Sequence, residues 1–394
     1  MKNFDLIYEH VNSSKCKISK KSRNEFVTQI NITDKEISGK TLYTLTSKFK
    51  FLIENYRFIK LNININFTNP LMFKDKICYL LLDLLIYDIF KKTNFNIHFS
   101  FKKFDEDSYI NSKSFGFFNS TLWRTYKNST SYYLDKNLFI KELKKPIFRT
   151  DFYRRFITAD KLKDDLYIES TIFSDIGNAL SIQNTSFDKD LDDFITSISE
   201  NVAELLCNVK SHTDSDCIID INFEKIDNKF LTYIAIINFS KNRLFDNIKE
   251  NIECKRYNPN DVLYHDVYKA LDFHKNHFNE SYTPEHFFML TAFQNHVTSR
   301  YMESGSNGTG LTVLIKNIIG KAEKDYSYVL SGNQILVFKN EFLNLSKNNF
   351  IGFNNENNYI SNIPDESIID DSRLYIPGTI YNLFLIKEID TNGQ

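Results

Sequence analysis

Three of the eleven glycines of the chain lie within six residues, at Gly305, Gly308 and Gly310. Glycine reaches positive φ angles without strain, so closely spaced glycines let backbone N–H groups approach a phosphate. Apolar residues from Leu311 to Ile319 recur mainly with helical spacing, which predicts that this segment leads into a helix N-terminus. The unpaired N–H groups and the positive dipole at such an end favour an anion. A flexible connector would show the same glycine pattern.

A second set of polar residues lies on a long amphipathic segment. The apolar residues between Phe187 and Val209 predict a helix with one apolar face, and Asn201, Glu204, Asn208 and His212 fall together on another face. An asparagine carbonyl oxygen can bind Mg²⁺, and a carboxylate one turn earlier can accept a proton from water. The same spacing also fits an exposed helix face with no chemical role.

The elements around these residues are predicted from periodicity and turn residues. Two strands, Cys217–Phe223 and Phe230–Asn238, follow the amphipathic helix and are joined by a turn at Ile226–Lys229. A long connection at about 239–304 comes next, and we expect it to form a lid. Later strands are predicted at Tyr326–Leu330, Gln334–Phe338 and Ile380–Ile386.

The first part of the chain alternates strand-like and helix-like patterns. A strand is predicted near 58–67, a helix at Met72–Lys91 and a strand at Phe95–Phe101, which together indicate an α/β unit. The strand-like and helix-like periodicity becomes irregular between Asp105 and Asp160. We therefore expect an α+β protein with a smaller α/β domain at 1–155, of unknown role, and a second domain at 156–394.

Composition excludes several classes of protein. Lys and Arg (49) nearly balance Asp and Glu (50), so nucleic acid and anionic membranes are not favoured as partners. The longest apolar run, Ile77–Phe90, contains Asp83 and Asp88 and is too short to span a membrane. The five cysteines form no Cys-x-x-Cys pair, and the N-terminus lacks an apolar signal core. We expect a cytoplasmic protein.

Several of these segments also carry a resemblance to a known family. The runs Glu204–His212, Ile237–Ser240 and Gly308–Leu314 resemble, in this order, the N, G1 and G2 boxes of the GHKL superfamily. That superfamily comprises gyrase, the large heat-shock chaperones, histidine kinases and mismatch-repair ATPases. Ile376–Ile380 resembles the Gly-Thr segment that begins a late strand in many members, and the resemblance covers about Lys161 to Ile389. It implies a Bergerat-type α/β sandwich, a mixed sheet with helices on one face, that binds ATP and Mg²⁺.

The resemblance also implies roles for individual residues. Asn208 would hold Mg²⁺ between the phosphates, Glu204 would be the general base for water, and Asn238 would accept a hydrogen bond from the adenine amino group. Arg300, in the expected lid, could bind a γ-phosphate or be an ordinary surface residue. The other predicted nucleotide-binding residues are His212, Ser240, Gly305, Gly308, Thr309, Gly310, Leu311 and Thr379.

The G1 box departs from the family pattern. The usual Asp-x-Gly-x-Gly is Asn238-Phe239-Ser240-Lys241-Asn242 here, without the carboxylate and without either glycine. Asparagine keeps a carbonyl acceptor for the adenine amine but loses the charge, which predicts weaker recognition. Whether ATP is hydrolysed therefore stays open.

Features outside the three boxes argue against some of the functions found in the GHKL superfamily. Only His10 and His98 precede Glu204, and neither lies in a phosphoacceptor setting, which argues against a two-component histidine kinase. The chain stops soon after Thr379, which argues against a topoisomerase. We expect an ATPase or ATP-driven switch of a bacterial regulatory or antiviral defence system, with an unidentified protein partner and a homodimer as one option. The alternatives are a serine protein kinase similar to anti-sigma regulators and a non-hydrolysing ATP-binding scaffold.

Overall fold

The computed structural model describes residues 3–22, 25–126, 131–182, 189–212, 215–298, 310–321, 326–346 and 349–388. The chain is α+β and divides into two units. The first unit contains Asn3–Ile147 and Arg373–Tyr375, and the second contains Phe148–Ser372 and the chain from Ile376 onwards. The boundary expected at 155/156 lies inside a strand of the second unit, Phe152–Ile157.

The first unit is built on a five-stranded sheet with the order β1-β2-β3-β4-β5 in the described residues. Its strands are β1 (Ile18–Ser22), β2 (Glu25–Ile32), β3 (Leu61–Pro70), β4 (Asn96–Lys102) and β5 (Ser131–Tyr133). Its helices are α1 (Leu6–Glu9), α2 (Gly39–Tyr56), α3 (Lys76–Lys92), α4 (Glu106–Ser114), α5 (Thr121–Arg124) and α6 (Lys136–Lys144).

The central strands β2, β3 and β4 are parallel and lie side by side in chain order, with α2 and α3 as their connections. Crossovers between parallel strands are right-handed, so two successive crossovers in the same direction place both helices on the same face of the sheet. Burial agrees with this topology, since Leu61, Ile63, Ile65 and Phe67 of β3 are buried while the asparagines between them are only half-buried. One face of this sheet therefore forms the core, and the other is polar.

Helix α3 is the most buried element of the first unit. It begins at the N-cap Asp75, whose carboxylate accepts a hydrogen bond from the backbone N–H of Cys78 at 3.1 Å. Every residue from Lys76 to Phe90 is buried. The buried Asp83 accepts two backbone N–H bonds at the start of α5, from Thr121 at 2.7 Å and Leu122 at 2.9 Å. No helix among the described residues combines the length and apolarity that a membrane crossing requires.

The second unit contains a six-stranded sheet with the order β10-β11-β9-β8-β7-β6 in the described residues. Its strands are β6 (Ile147–Phe148), β7 (Phe152–Ile157), β8 (Cys217–Ile226), β9 (Lys229–Asn238), β10 (Tyr328–Val337) and β11 (Ile369–Glu388). Its helices are α7 (Ala159–Asp164), α8 (Ile168–Ser181), α9 (Lys189–His212), α10 (Asp246–Glu253), α11 (Val262–His274), α12 (Pro284–Ala292) and α13 (Gly310–Ile318).

The strand pairings of the second sheet are antiparallel, so the expectation of a mixed sheet is wrong for its described strands. The reason lies partly in the connections. A two-residue turn, Asp227–Asn228, joins β8 to β9, and such a short turn can link only antiparallel strands. Asp227 has a φ of +53°, a conformation that Asp tolerates better than most residues.

A buried ion pair joins β7 to β8. Arg154 and Asp220 are register partners with fully buried side chains, and the Arg154 Nε donates to Asp220 Oδ2 at 2.5 Å. Each charge lies away from water, so each depends on the other for its stabilisation.

The segment expected to be a lid is largely part of the hydrophobic core. Ile252 of α10, Val267 of α11 and Phe287 of α12 belong to the same buried cluster as the sheet and α9. The apolar faces of these helices are therefore buried in the core, and the buried cluster includes residues of this segment as far as Val297.

A buried histidine lies within this helical region. The ring of His274 contacts the backbone oxygen of Tyr359 through Nε2 at 2.8 Å and the Tyr282 hydroxyl through Nδ1 at 2.7 Å. A neutral imidazole fits these partners, with one nitrogen donating and the other accepting. Burial lowers the pKa of His274 to about 4.

Candidate functional site

Helix α9 presents a polar stripe to helix α13. Asn201, which is fully buried, accepts a hydrogen bond through Oδ1 from the Asn317 Nδ2 at 3.0 Å. One turn away, the Lys321 Nζ, just past the end of α13, donates to the Ser197 Oγ at 3.2 Å. A step of four residues forward in the chain from Asn317 thus corresponds to a step of four residues back along α9 from Asn201. The two helices are antiparallel and in a defined register.

This register locates the start of α13 relative to the predicted Mg²⁺ residue. Gly310, the first residue of α13, lies seven residues before Asn317, and Asn208 lies seven residues after Asn201. At a rise of 1.5 Å per residue, both steps cover about 10 Å along the helix axes. The N-terminus of α13 is therefore level with Asn208. The sequence predicted each element but not their alignment, because Asn317 shows no spacing that marks it as a partner of Asn201.

The sheet fixes the direction in which α13 points. The backbone oxygen of Lys321 accepts a hydrogen bond from the Ile386 N–H at 2.8 Å, near the C-terminal end of β11. Thr379 lies earlier on the same strand and pairs with Asn238, the last residue of β9. Since α13 runs from Gly310 towards Ile386, its N-terminus points to the end of the sheet that holds Asn238 and Thr379. Leu311, the second residue of α13, is half-buried against the core.

The C-terminus of α9 reaches the same end of the sheet. Helix α9 ends at His212, and β8 begins at Cys217, which pairs with Asn238. The short connection between His212 and Cys217 places the last turns of α9 beside this strand end. The side chain of His212 lies outside the described part of the structure.

Asn238 and Thr379 lie in a closely packed backbone environment. Both side chains are buried, and Gly378 has a φ of +99°. A Cβ atom on Gly378 would lie 2.4 Å from the Asn238 backbone oxygen and 2.6 Å from the Ser240 backbone nitrogen. Only glycine fits at this position. The Gly-Thr segment and the G1-like segment, 140 residues apart in the chain, are thus in direct backbone contact.

The turn after Asn238 is held by its own hydrogen bonds. The Ser240 N–H donates to the Pro377 oxygen at 3.2 Å, and the Ser240 Oγ accepts from the Asn242 N–H at 3.2 Å. These bonds stabilise a turn in which the family pattern would place glycines. Ser331 of β10 adds support that the sequence did not reveal, since its Oγ donates to the Gly378 oxygen at 2.5 Å.

Glu204 lies on a neighbouring part of the α9 surface. It lines an open groove of about 560 Å³ between α8 and α9, and the residues around it are Glu169, Phe173, Glu200, Ala203 and Cys207. Partial burial raises the pKa of the Glu204 carboxyl. A raised pKa makes a carboxylate a better proton acceptor at neutral pH. Asn208 does not line this groove, so the two residues share a helix but face adjacent surfaces.

Two carboxamides on α9 have unused donors. The Nδ2 atoms of Asn201 and Asn208 are buried and make no hydrogen bond to any described residue. A buried amide without a partner costs about 1–3 kcal/mol, and a ligand that accepts a hydrogen bond from it would remove this cost. A rotation of the Asn208 amide would present Oδ1, the atom that binds Mg²⁺.

No group of three or more His, Cys, Asp and Glu side chains within the described ranges could hold a metal ion. A Mg²⁺ ion at Asn208 would therefore draw its other ligands from phosphate oxygens and water, as Mg²⁺ does in many nucleotide sites. Arg300, Gly305, Gly308 and Thr309 lie outside the described residues.

Comparisons with known proteins give no family assignment. No protein-family model, curated protein or solved structure matches the chain.

Proposed function

We propose that the second unit binds ATP together with Mg²⁺, as a protein of the GHKL type. One observation carries the proposal: the register between α9 and α13 aligns Gly310 with Asn208, at the sheet end that holds Asn238 and Thr379. Three segments far apart in the sequence converge there, and each has the chemistry for a different part of a nucleotide.

The phosphates would lie at the N-terminus of α13. Its first N–H groups have no partner within the helix, and the dipole favours negative charge at this end. Asn208 supplies an amide oxygen for Mg²⁺, which neutralises part of the phosphate charge. The unpaired Asn208 Nδ2 supports this role, because a ligand would satisfy a polar group that the described residues leave without a hydrogen bond.

The adenine would lie beside Asn238 and Thr379. The Asn238 Oδ1 can accept a hydrogen bond from an exocyclic amine, and the Thr379 hydroxyl can bond to a ring nitrogen or a water. Both side chains are nearly excluded from solvent, with exposures of 3% and 6%, so a hydrogen bond made there competes little with water.

Calorimetry of Mg²⁺-ATP binding tests the proposal. Asn208→Ala should weaken binding about tenfold or more, the equivalent of one lost interaction of about 1.4 kcal/mol. The matched control is Asn228→Ala, which changes an exposed asparagine at the opposite end of β9 and should leave the affinity unchanged. Absence of ATP binding by the wild type at millimolar concentration would overturn the proposal.

Base selectivity tests the adenine contact separately. Inosine triphosphate lacks the exocyclic amine, so it should bind more weakly than ATP. Asn238→Asp should increase the preference for ATP, since a charged acceptor makes a stronger hydrogen bond to an amine. Equal affinity for both nucleotides in both proteins would contradict the role of Asn238.

Binding without hydrolysis is the second candidate, favoured by the position of Glu204 in the groove between α8 and α9. In an ATPase, Glu204→Gln should abolish phosphate release and keep nucleotide binding. A wild type that binds Mg²⁺-ATP and releases no phosphate would support the non-hydrolysing function.

A further inference from the structure

The polar face of the first sheet is unusual for a sheet with a parallel centre. Parallel strands commonly have both faces covered, and their sequences are then nearly continuous apolar runs. Here β3 alternates strictly, with Asn62, Asn64 and Asn66 between buried apolar residues. Ten uncharged polar or aromatic side chains line this face: Gln29, Asn31, Asn62, Asn64, Asn66, Asn96, His98, Ser100, Ser131 and Tyr133. The charged Glu25 and Lys102 lie on the same face, at the first residue of β2 and the last residue of β4.

Two rows of this face are hydrogen-bonded ladders. In one row the Asn96 Nδ2 donates to the Asn62 Oδ1 at 2.8 Å, and the Asn62 Nδ2 donates to the Glu25 carboxylate at 2.9 Å. In the other, the Ser100 Oγ donates to the Asn66 Oδ1 at 2.8 Å, and the Asn66 Nδ2 contacts the Asn31 Oδ1 at 3.4 Å. The amides of these two rows are largely satisfied by one another.

The row between them is different. Gln29, Asn64, His98 and Tyr133 are register partners across four adjacent strands. Three strand spacings make this row about 14 Å long. The half-buried Asn64 amide makes no hydrogen bond to a described residue, and Gln29 donates along its own strand to Asn31. The centre of the face thus has an amide with both donor and acceptor available.

An aromatic ring forms one end of the central row. Tyr133 is 60% exposed, and its ring centroid lies 4.7 Å from that of His98. His98 is held in turn by the Ser131 Oγ, 2.9 Å from its Nε2. An exposed ring packed against His98, in the same row as the unpaired Asn64 amide, offers both a stacking surface and hydrogen bonds.

The residue types limit the ligand. The four side chains of the central row include no Lys, Arg, Asp or Glu, so the row itself holds no fixed charge that would bind phosphate, nucleic acid or a metal cation. They also form no apolar patch that would bind a hydrophobic partner. Amide, hydroxyl and imidazole groups both donate and accept, and this matches a ligand rich in hydroxyl groups. The C–H face of a sugar ring packs well on a tyrosine.

We propose that the central row Gln29–Asn64–His98–Tyr133 binds a neutral oligosaccharide. A sugar ring stacks on Tyr133, and the hydroxyls of the next sugar hydrogen-bond to His98 and Asn64. The row belongs to the first unit, and this proposal does not depend on the nucleotide site proposed for the second.

Calorimetry on the full-length protein tests the proposal with three probes, cellohexaose, maltohexaose and chitohexaose. At least one should bind with a Kd below about 1 mM, an interaction free energy of about 4 kcal/mol. Tyr133→Ala should weaken binding about tenfold through loss of stacking, whereas Tyr133→Phe should stay within about threefold of the wild type because the ring remains. Asn64→Ala should weaken binding about fivefold.

The matched control is Tyr109→Ala, since Tyr109 is 52% exposed on α4 and lies outside the row; this variant should bind like the wild type. Thermal unfolding of each variant separates loss of binding from loss of fold. Failure of all three probes to bind the wild type would overturn the proposal. Unchanged affinity in both Tyr133→Ala and Asn64→Ala, or salt-sensitive binding of oligothymidylate in place of the sugars, would do the same.

Discussion

Gly378→Ala is expected to be one of the most damaging small substitutions in the second unit. The glycine adopts a φ of +99°, and a Cβ there would lie 2.4 Å from the Asn238 oxygen and 2.6 Å from the Ser240 nitrogen. Both contacts are with backbone, which cannot move aside as a flexible side chain can. The new methyl group must therefore displace the β9 end or the β11 strand.

The cost has two parts. Positive φ in an alanine costs about 1–2 kcal/mol. Overpacking against backbone adds about 1–3 kcal/mol. Together they amount to about 3 kcal/mol, and at about 2–4 °C per kcal/mol for a domain of this size the unfolding midpoint should fall by about 6–12 °C.

Gly320→Ala measures the first part, the backbone strain, without the second. Gly320 has a φ of +73°, yet a Cβ there would meet no atom within 4 Å. Gly320→Ala should therefore lower the free energy of unfolding only by the backbone strain of a positive φ, about 1 kcal/mol. Thermal or urea unfolding of the two variants is the assay. The reasoning is refuted if Gly378→Ala loses no more stability than Gly320→Ala, because the close approach to Asn238 and Ser240 would then have no energetic effect.

Three further perturbations test other contacts. Asn317→Ala should destabilise the protein by about 1–3 kcal/mol in urea unfolding, because the buried Asn201 Oδ1 loses its hydrogen bond. Burial lowers the pKa of His274 from 6.5 to about 4, so the unfolded chain takes up its proton first as the pH falls. The neutral His274 ring makes its full contribution to the free energy of unfolding above pH 6.5. This contribution is lost as the pH falls towards 4, so the free energy of unfolding should fall by about 3 kcal/mol relative to that of His274→Gln. Asp220→Asn should cost about 3–5 kcal/mol, because the buried Arg154 keeps its charge without a counter-charge.

Each of the three has a control. Lys316→Ala, at an exposed neighbour of Asn317, should be nearly neutral. For His274, a constant stability difference between wild type and variant from pH 7 to pH 4 would contradict the assigned pKa. For the ion pair, the double variant Arg154→Met/Asp220→Leu should recover most of the lost stability, and no recovery would show that the charges are not the cause.

Elements with strong periodicity could be predicted from the sequence. The β8–β9 hairpin was expected from its two apolar runs and the Asp227–Asn228 turn, and its strands extend to within one residue of that turn. The helix expected at Met72–Lys91 is observed at Lys76–Lys92, and it starts later because Asp75 caps it.

Elements whose pattern is interrupted could not be predicted in full. Two strands were expected at Tyr326–Leu330 and Gln334–Phe338, but β10 is one strand, Tyr328–Val337, with an irregular register at Gly332. A glycine in a strand signals either a break or a bulge, and only the pairing with β11 decides between them. The first seven residues of β11 carry polar side chains on their exposed face, so only its apolar second half was expected.

The candidate site could be proposed from the sequence only as a set of residues, without a geometry. Asn208, Asn238 and Thr379 could be chosen from local motifs. Their relative positions depend on long-range contacts of Asn317 and Gly378. No local sequence pattern identifies the residues that these two contact. The groove beside Glu204 likewise depends on α8, whose packing on α9 no motif encodes.

The α9–α13 register limits how the start of α13 can move. A slip of one residue would take Asn317 and Lys321 off both partners at once. A slip of one full turn, about 6 Å, would bring Asn317 to Ser197, Lys321 to the carboxylate of Asp193, and Gly310 level with Glu204. Displacements of α13 by whole helical turns are therefore favoured over smaller ones, because only a whole turn gives both side chains a polar partner again.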